Sequence, residues 1–263
     1  MTLRRTLTLV SSLVLILFAH AALAQDADEL AVKTQNPIAD LISVPFQANW
    51  DMGIGDREAT GTIMNFQPVT PFNLMPNWDV VLRVIMPLSS QPDPSGLRIN
   101  GLGDTTASLF LTPQNPGKTV WGVGPAILLP TATNNALGSE KFGFGPTVVL
   151  LRQPRPWTMG ILANHIWSVD GSIDREAVSQ TFLQPFLNYN LGAGLAVGAS
   201  SEISINWKND NGKTTAPLLF SASKVTKFGG RPVNLQMAAG PMLSNPSGAD
   251  WRFRLAIVFL FPK

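Results

Sequence analysis

The sequence predicts an all-β protein: a transmembrane antiparallel up-and-down β-barrel of about twelve strands, with a short N-terminal helix or arm. Three observations predict this fold. Segments that alternate apolar and polar residues recur along the chain, long polar connectors alternate with short turns, and all seven Trp fall at the ends of the predicted strands. An apolar outer face, loops of unequal length at the two ends and aromatic residues at both interfaces are typical of barrels that cross the bacterial outer membrane.

The C-terminal segment 251–261 is the clearest strand. Every odd position is apolar, and the even positions begin with Arg252 and Arg254. A period of two over eleven residues indicates a β-strand with one apolar face, and about 9–11 residues suffice for a strand to cross a bilayer. We expect this strand to close the barrel.

Residues 1–24 have the pattern of a cleaved signal peptide. A basic start at Arg4 and Arg5 precedes an apolar run at 7–18 and an Ala-Leu-Ala cleavage site at 22–24. An N-terminal membrane anchor is the alternative, but the apolar run is short for a spanning helix and ends in small residues. The chain has no Cys, so neither a lipoprotein nor a disulfide-stabilised fold is expected.

Charge and hydropathy exclude other classes of protein. Removing the two arginines of the signal peptide leaves seventeen basic and seventeen acidic residues, so the mature chain of about 239 residues has no electrostatic footprint for nucleic acid. No mature stretch approaches 18 consecutive apolar residues, which excludes transmembrane helices. A chain that spans a membrane with strands must close them into a barrel, because an open edge leaves backbone groups unpaired in lipid.

Residues 25–41 are predicted to form a periplasmic helix or arm, and 42–263 the barrel. Asp26 and Asp28 suit a helix start, and Asn36-Pro37 interrupts the segment. A docked helix and a loose leader before the first strand are equally compatible with this stretch.

The predicted strands are 42–52, 60–69, 77–88, 102–111, 119–129, 142–151, 156–168, 180–190, 194–206, 215–224, 232–242 and 251–261. Segments 119–129 and 142–151 alternate poorly. Each contains a Gly-x-Gly-Pro motif, ending at Pro125 and Pro146, where a residue without a ladder donor favours a bulge or tight bend. A wrong register in these two segments is the alternative.

The connectors predict the orientation. Odd-numbered connectors are long and polar, whereas even-numbered ones are mostly short, with 70–76 and 112–118 as longer exceptions. Short turns are periplasmic in outer-membrane barrels, so both chain termini are expected in the periplasm.

The tryptophans predict two aromatic girdles. Trp157 and Trp167 share one predicted strand and one face; ten residues at about 3.3 Å each and a tilt near 40° separate them by roughly 25 Å, the expected distance between girdles. The predicted periplasmic members are Trp78, Trp121 and Trp157, and the outer members are Trp50, Trp167, Trp207 and Trp251.

Several phrases resemble one family. They are Thr34-Gln-Asn-Pro-Ile-Ala-Asp-Leu-Ile-Ser-Val-Pro-Phe-Gln-Ala-Asn, Trp121-Gly-Val-Gly-Pro, Pro130-Thr-Ala-Thr, Ala163-Asn-His-Ile-Trp-Ser, Gln180-Thr-Phe-Leu-Gln-Pro-Phe and the terminal Leu-Phe-Pro-Lys. Together they resemble the outer-membrane proteins associated with the MetA pathway of phenol degradation. The resemblance implies an outer-membrane barrel linked to passage of small aromatic or hydrophobic compounds, and it carries no catalytic residues. The C-terminus also resembles the signal read by the barrel-assembly machinery, with Phe261 as its aromatic residue.

Parity predicts the residues that face the lumen. A charged Arg at the bilayer midplane costs about 2–4 kcal/mol on the lipid face, so charged residues should point inward. Arg252 and Arg254 are placed to meet Asp51 of the first strand once the barrel closes. The lumen-lining candidates are Gln47, Asn49, Asn65, Gln67, Arg83, Asp104, Phe182, Gln184, Phe186, Glu202, Gln236, Arg252 and Arg254. A selectivity lining and a salt-bridge network that fills the barrel explain them equally well.

Catalysis and metal binding are not predicted. His165 is the only mature histidine; Ser168 points to the other face, and Ser172 and Ser179 fall in a predicted loop. One His without Cys makes a transition-metal site improbable, and no cofactor is expected. Acidic loop residues would suit a divalent cation, but a solvated loop is the favoured interpretation of Asp56, Glu58, Asp170, Asp174 and Glu176.

The sequence therefore predicts a porin-like channel in the outer membrane of a Gram-negative bacterium, for passive uptake or export of small, hydrophobic or aromatic solutes. Its expected partners are membrane lipid, the assembly machinery and the solute, with no nucleic acid. A closed structural or adhesive barrel that displays surface loops is the alternative, and a lipid hydrolase on the barrel wall is a distant third.

Overall fold

The computed structural model describes residues 26–93, 95–208 and 214–262. The predicted signal peptide, 1–24, lies outside the described residues. Within the described ranges, every helix is too short or too polar to cross a membrane.

The predicted fold class is confirmed, because the strands form a closed antiparallel barrel of 12 strands. Fifteen strand segments build it, since β2 and β3, β5 and β6, and β11 and β12 are each one barrel strand interrupted once. The segments are β1 Ile42–Ile54, β2 Ala59–Phe66, β3 Val69–Met75, β4 Trp78–Pro92, β5 Arg98–Leu102, β6 Thr105–Pro113, β7 Thr119–Leu129, β8 Lys141–Arg152, β9 Trp157–Gly171, β10 Ser179–Gly192, β11 Leu195–Ser201, β12 Ile203–Asn206, β13 Thr214–Phe228, β14 Arg231–Ser244 and β15 Trp251–Phe261.

The last strand closes the barrel on the first. The β1–β15 ladder runs from Ile42 opposite Phe261 to Met52 opposite Trp251 without a register shift. This places the alternating faces of both strands in phase, with the apolar set outside and the Arg residues of β15 inside.

The two weakest predicted segments are both strands, β7 and β8. Burial in β8 alternates strictly, with Gly143, Gly145 and Thr147 buried and the residues between them exposed. Hydropathy hides this period because the inward positions hold small or hydroxyl residues beside apolar outward ones.

The predicted bulges at Pro125 and Pro146 are absent from the β7–β8 ladder, where the two prolines lie directly opposite each other without a register change. The β8–β9 ladder does shift its register, between Phe142 and Gly143 at the start of the second Gly-x-Gly-Pro motif. The glycine before each proline allows the neighbouring backbone to approach closely. A Cβ on Gly124 would lie 1.9 Å from the Leu109 carbonyl oxygen, and a Cβ on Gly145 would lie 1.8 Å from the His165 carbonyl oxygen.

The connectors differ in length at the two ends of the barrel, as predicted, but the turns are shorter than expected. The expected longer connectors 70–76 and 112–118 are largely strand, because β3 reaches Met75 and β6 reaches Pro113. The end with connectors 76–77, 114–118, 153–156, 193–194 and 229–230 is called the short-turn end. The opposite end, with connectors 55–58, 93–97, 130–140, 172–178, 207–213 and 245–250, is called the loop end.

The N-terminal segment, residues 26–41, docks on the short-turn end and enters the barrel. Residues 26–34 form a helix. The Gly194 N–H donates to the Asp28 carboxylate, and the Gln153 side-chain amide donates to the Val32 carbonyl at 2.9 Å. Beyond the helix, Ile38 is only 4% exposed and packs within the barrel core. The docked helix is therefore correct and the loose leader is not; we call residues 26–41 the plug.

Candidate functional site

The candidate site is the barrel interior, where the inward positions of the strands converge. Cross-strand pairs share a face, so Asn65 opposite Gln47 and Arg254 opposite Asn49 mark the inner surface. Asp104 lies at the loop end, where its carboxylate accepts hydrogen bonds from the N–H groups of Ala132 and Ser139. The structure places on the inner side Gln47, Asn49, Asn65, Gln67, Arg83, Asp104, Phe182, Gln184, Phe186, Glu202, Gln236, Arg252 and Arg254.

Three of these inward groups form a buried ionic network with Asp51. Arg252 donates to both carboxylate oxygens of Asp51 at 2.6 and 2.8 Å. Arg254 donates to both carboxylate oxygens of Glu202 at 2.9 and 2.5 Å, and to Asn49 at 2.6 Å. Bidentate pairs of this kind fix geometry as well as charge. Asp51, Glu202, Arg252 and Arg254 are called the central ionic network.

The network crosses the interior as well as following the wall. Asp51 and Arg252 are direct neighbours in the β1–β15 ladder. Glu202 lies between β11 and β12, and the two barrel strands β13 and β14 separate it from β15. Barrel closure predicted that Arg252 and Arg254 would both meet Asp51; Arg252 does so, whereas Arg254 pairs with Glu202 instead. The pair with Glu202 was not predicted, because a contact between non-adjacent strands depends on the curvature and tilt of the barrel, which periodicity does not report.

Arg83 is the interior cation outside this network. Its guanidinium donates to the Gln67 side chain at 3.2 Å, and no described carboxylate forms an ion pair with it. Asp51 and Glu202 balance Arg252 and Arg254, so Arg83 leaves the described mid-barrel cluster with one excess positive charge.

Three cavities follow one another along the barrel axis. A turn-side chamber of about 210 Å³ and a loop-side chamber of about 200 Å³ both have Arg83 in their walls. A vestibule of about 730 Å³ at the loop end shares Thr106, Leu128 and Gln180 with the loop-side chamber. Shared lining residues make neighbouring cavities adjacent, and Arg83 is the residue that the walls of the two chambers have in common.

The plug forms the floor of the turn-side chamber, through residues 33–37, Ala39 and Leu41. Gln35 donates to the Asn190 side chain at 2.8 Å, and Thr34 lies 3.5 Å from the Asn234 amide. On the plug helix, a hydrogen bond from the Lys33 ammonium, assisted by its charge, lowers the pKa of Glu29.

The side of the interior opposite the ionic network is apolar. Ile38 of the plug packs with Phe110 and Leu162, and Phe182 and Phe186 pack against this cluster. Phe110 is fully buried, so this half of the barrel holds a packed core at the height of the plug. The path past Arg83 therefore runs between a charged wall and an apolar wall.

A groove of about 750 Å³ lies on the outer wall, lined mainly by Leu150, Met159, Ile161 and Leu187 and reaching the inward Phe186. The ladder beside it is interrupted. Pairing of β10 with its neighbour stops at Leu183 opposite Ile203 and resumes at Phe186 opposite Ser200. Pro185 lies in this gap and has no N–H to donate.

The structure corrects the predicted surroundings of His165. Ser179 is not a loop residue but begins β10 opposite Trp167, on the same face as His165. The Ser179 hydroxyl lies 3.4 Å from His165 Nε2, and the Thr181 hydroxyl lies 2.7 Å from Nδ1. The cluster is on the outer surface near the loop end. A predicted strand that began at 179 instead of 180 would have placed Ser179 beside His165.

The tryptophans lie near the two ends of the barrel. At the short-turn end, Trp78 contacts Trp121 with ring centroids 5.9 Å apart, and Trp157 contacts Tyr189 at 4.7 Å. At the loop end, Trp50 contacts Phe253 at 5.6 Å. The remaining three, Trp167, Trp207 and Trp251, are each about half exposed at the loop end.

Acidic loop residues do not assemble into a metal site in the part of the chain that the structure describes. No group of three or more His, Asp or Glu side chains there is arranged to hold an ion. Glu140 instead lies 3.7 Å from Arg175, which joins two connectors of the loop end.

Comparison with known proteins identifies the fold. No protein-family model and no curated protein matches the chain, so the resemblance to the phenol-degradation family is not confirmed. Among solved structures, an outer membrane channel from Pseudomonas putida F1 is similar over 84% of this chain and 94% of that one, with 17% identity and a TM-score of 0.60. The NanC porin is similar over 84% of this chain and 100% of its own, with 10% identity and a TM-score of 0.51. At these identities the likeness shows the barrel fold.

Proposed function

We propose that the protein is an outer-membrane channel for passive movement of small solutes, hydrophobic or aromatic ones included. The observation that carries this proposal is the row of three adjacent cavities in the barrel interior, with Arg83 between the two chambers. A barrel that served only as a structural wall would have no need for a row of spaces lined by polar and charged groups.

The proposed orientation places the short-turn end in the periplasm and the loop end outside. The exported chain then leaves its N-terminal plug on the periplasmic side, after removal of residues 1–24. The seven tryptophans form two belts at the membrane interfaces, and Phe261 near the C-terminus is the residue offered to the barrel-assembly machinery.

Single-channel recording of refolded residues 25–263 in a planar bilayer tests the channel. We expect discrete but small conductance steps with anion preference, because the mid-barrel interior holds three arginines and two carboxylates. Heat-modifiable gel mobility of the same sample establishes that the barrel is folded. A folded barrel without conductance would contradict the proposal and favour the closed structural or adhesive barrel.

A second route for an apolar solute is sideways through the wall. The groove beside Pro185 joins the lipid-facing surface to Phe186 at the interior, where the ladder is interrupted. A solute that leaves there would enter the membrane instead of crossing the plug.

The barrel is not expected to hydrolyse lipid, although Ser179 lies near His165. Their 3.4 Å contact is long, and the third group, the Thr181 hydroxyl, lacks the negative charge with which a carboxylate stabilises an imidazolium. Phospholipase assays on the folded protein in mixed micelles should give the same background rate for wild type and His165→Ala. A rate that His165→Ala and Ser179→Ala each abolish would show that the barrel is an enzyme.

A further inference from the structure

The loop-side chamber has the lining of an organic-anion site. Arg83 is the one charged group among its described lining residues. Five of the other nine are aliphatic or aromatic, including Ile85, Ile166 and Phe182, and four carry a hydroxyl or amide, including Ser108 and Asn164. A mostly apolar pocket with a few convergent polar groups is typical of a small-molecule site.

Arg83 has the donors to hold an anion. A guanidinium has five N–H donors in a fixed fork, and the one described hydrogen bond of Arg83 is to Gln67 at 3.2 Å. Arg252 and Arg254, by contrast, are each engaged by a carboxylate in bidentate geometry. The fork of Arg83 matches a carboxylate, and such a pair gains strength where water is scarce.

We propose that the loop-side chamber binds a small aromatic monocarboxylate on its way through the barrel. The carboxylate pairs with Arg83, with Ser108 and Asn164 as additional donors, and the ring lies against Phe182 and Ile166. This inference rests on the proposed channel function and names the substrate class of that same lumen. One cation matches one carboxylate, which distinguishes this class from dianions and from neutral phenols.

The chamber's size and position support this class. A space of about 200 Å³ is below the range of about 300–1,000 Å³ usual for drug-sized ligands and suits a single substituted ring. Offset or edge-to-face packing on Phe182 adds to the affinity of an aromatic ring. Arg83 also borders the turn-side chamber, so an anion bound there lies between the two chambers.

Calorimetric titration of the refolded barrel in detergent tests the site, with sodium benzoate as probe and benzamide as its neutral isostere. Wild type is expected to bind benzoate at least about 10-fold more tightly than benzamide, because only the carboxylate forms a charged pair with Arg83. Arg83→Gln should remove that preference. Arg98→Gln is the matched control, because Arg98 lies outside the chamber and hydrogen-bonds Ser90 at the loop end. Phe182→Leu should weaken benzoate binding while leaving acetate binding unchanged.

The outcomes separate this inference from the channel function, because binding is measured without conduction. Equal affinity for benzoate and benzamide in wild type overturns the carboxylate site, and this comparison needs no variant. A preference for benzoate over benzamide that survives in folded Arg83→Gln overturns it as well. A barrel that conducts ions but fails either test remains a channel, whereas a silent barrel that passes both retains the site and loses the channel.

Discussion

Removal of residues 26–37 from the mature chain is expected to raise single-channel conductance several-fold. Residues 33–37 form most of the floor of the turn-side chamber, so their loss opens that chamber at the short-turn end. The deletion ends before Ile38 and Leu41, because these residues pack in the two hydrophobic clusters of the barrel. The measurement is planar-bilayer recording of both chains at equal salt concentration.

Two controls make this prediction specific to the plug. Deletion of 26–30 removes part of the helix but leaves the chamber floor, and its conductance should stay close to that of wild type. The double variant Thr34→Cys with Asn234→Cys can form a reducible disulfide that holds the plug against the barrel wall. The two native side chains are 3.5 Å apart, and the chain has no native Cys. A 26–37 deletion that folds and conducts like wild type would show that the narrowest point lies elsewhere.

Glu202→Gln is expected to destabilise the barrel by about 3–5 kcal/mol, because it leaves the Arg254 guanidinium buried without its carboxylate. Arg254 and Glu202 side chains are only 6% and 18% exposed. The free energy of unfolding is measured by urea titration in detergent micelles. Among barrels that stay folded, the variant should also show stronger anion preference, since one of the two mid-barrel carboxylates is gone.

The double variant Glu202→Gln with Arg254→Gln should recover most of that stability, which makes a double-mutant cycle the decisive form of the experiment. Asp104→Asn is the control, because it removes a carboxylate at the loop end, outside the network. Gln236→Glu is unsuitable, because it adds a charge. If Glu202→Gln lowers the free energy of unfolding by less than about 1 kcal/mol, the ion pair contributes no more than a solvated surface pair. That result would mean that water fills the barrel around the network.

Parity predicted the inner face of this barrel because a strand has a period of two wherever one face meets lipid. Closure then implied the Asp51–Arg252 pair, since the first and last strands are neighbours in any closed barrel. Burial in β8 was harder to foresee, because the inward residues Gly143, Gly145 and Thr147 carry no hydropathy signal.

The docking of the plug and the contacts across the lumen could not be predicted from the sequence, for a different reason. Nothing periodic in residues 26–41 reports which surface Ile38 will meet, and the answer depends on space left by side chains from several strands. Likewise, Glu202 meets Arg254 only because the wall curves. The serine beside His165 was missed because strand ends are the least certain part of any pattern.

The β1–β15 ladder joins residues at opposite ends of the barrel sequence, so its formation carries the greatest loop-closure cost among the strand pairings. Asp51 and Arg252 face each other across that same seam. Both charges therefore remain hydrated while the sheet is open, and each gains its partner in the step that removes it from water. The seam thus couples the order of assembly to charge neutralisation.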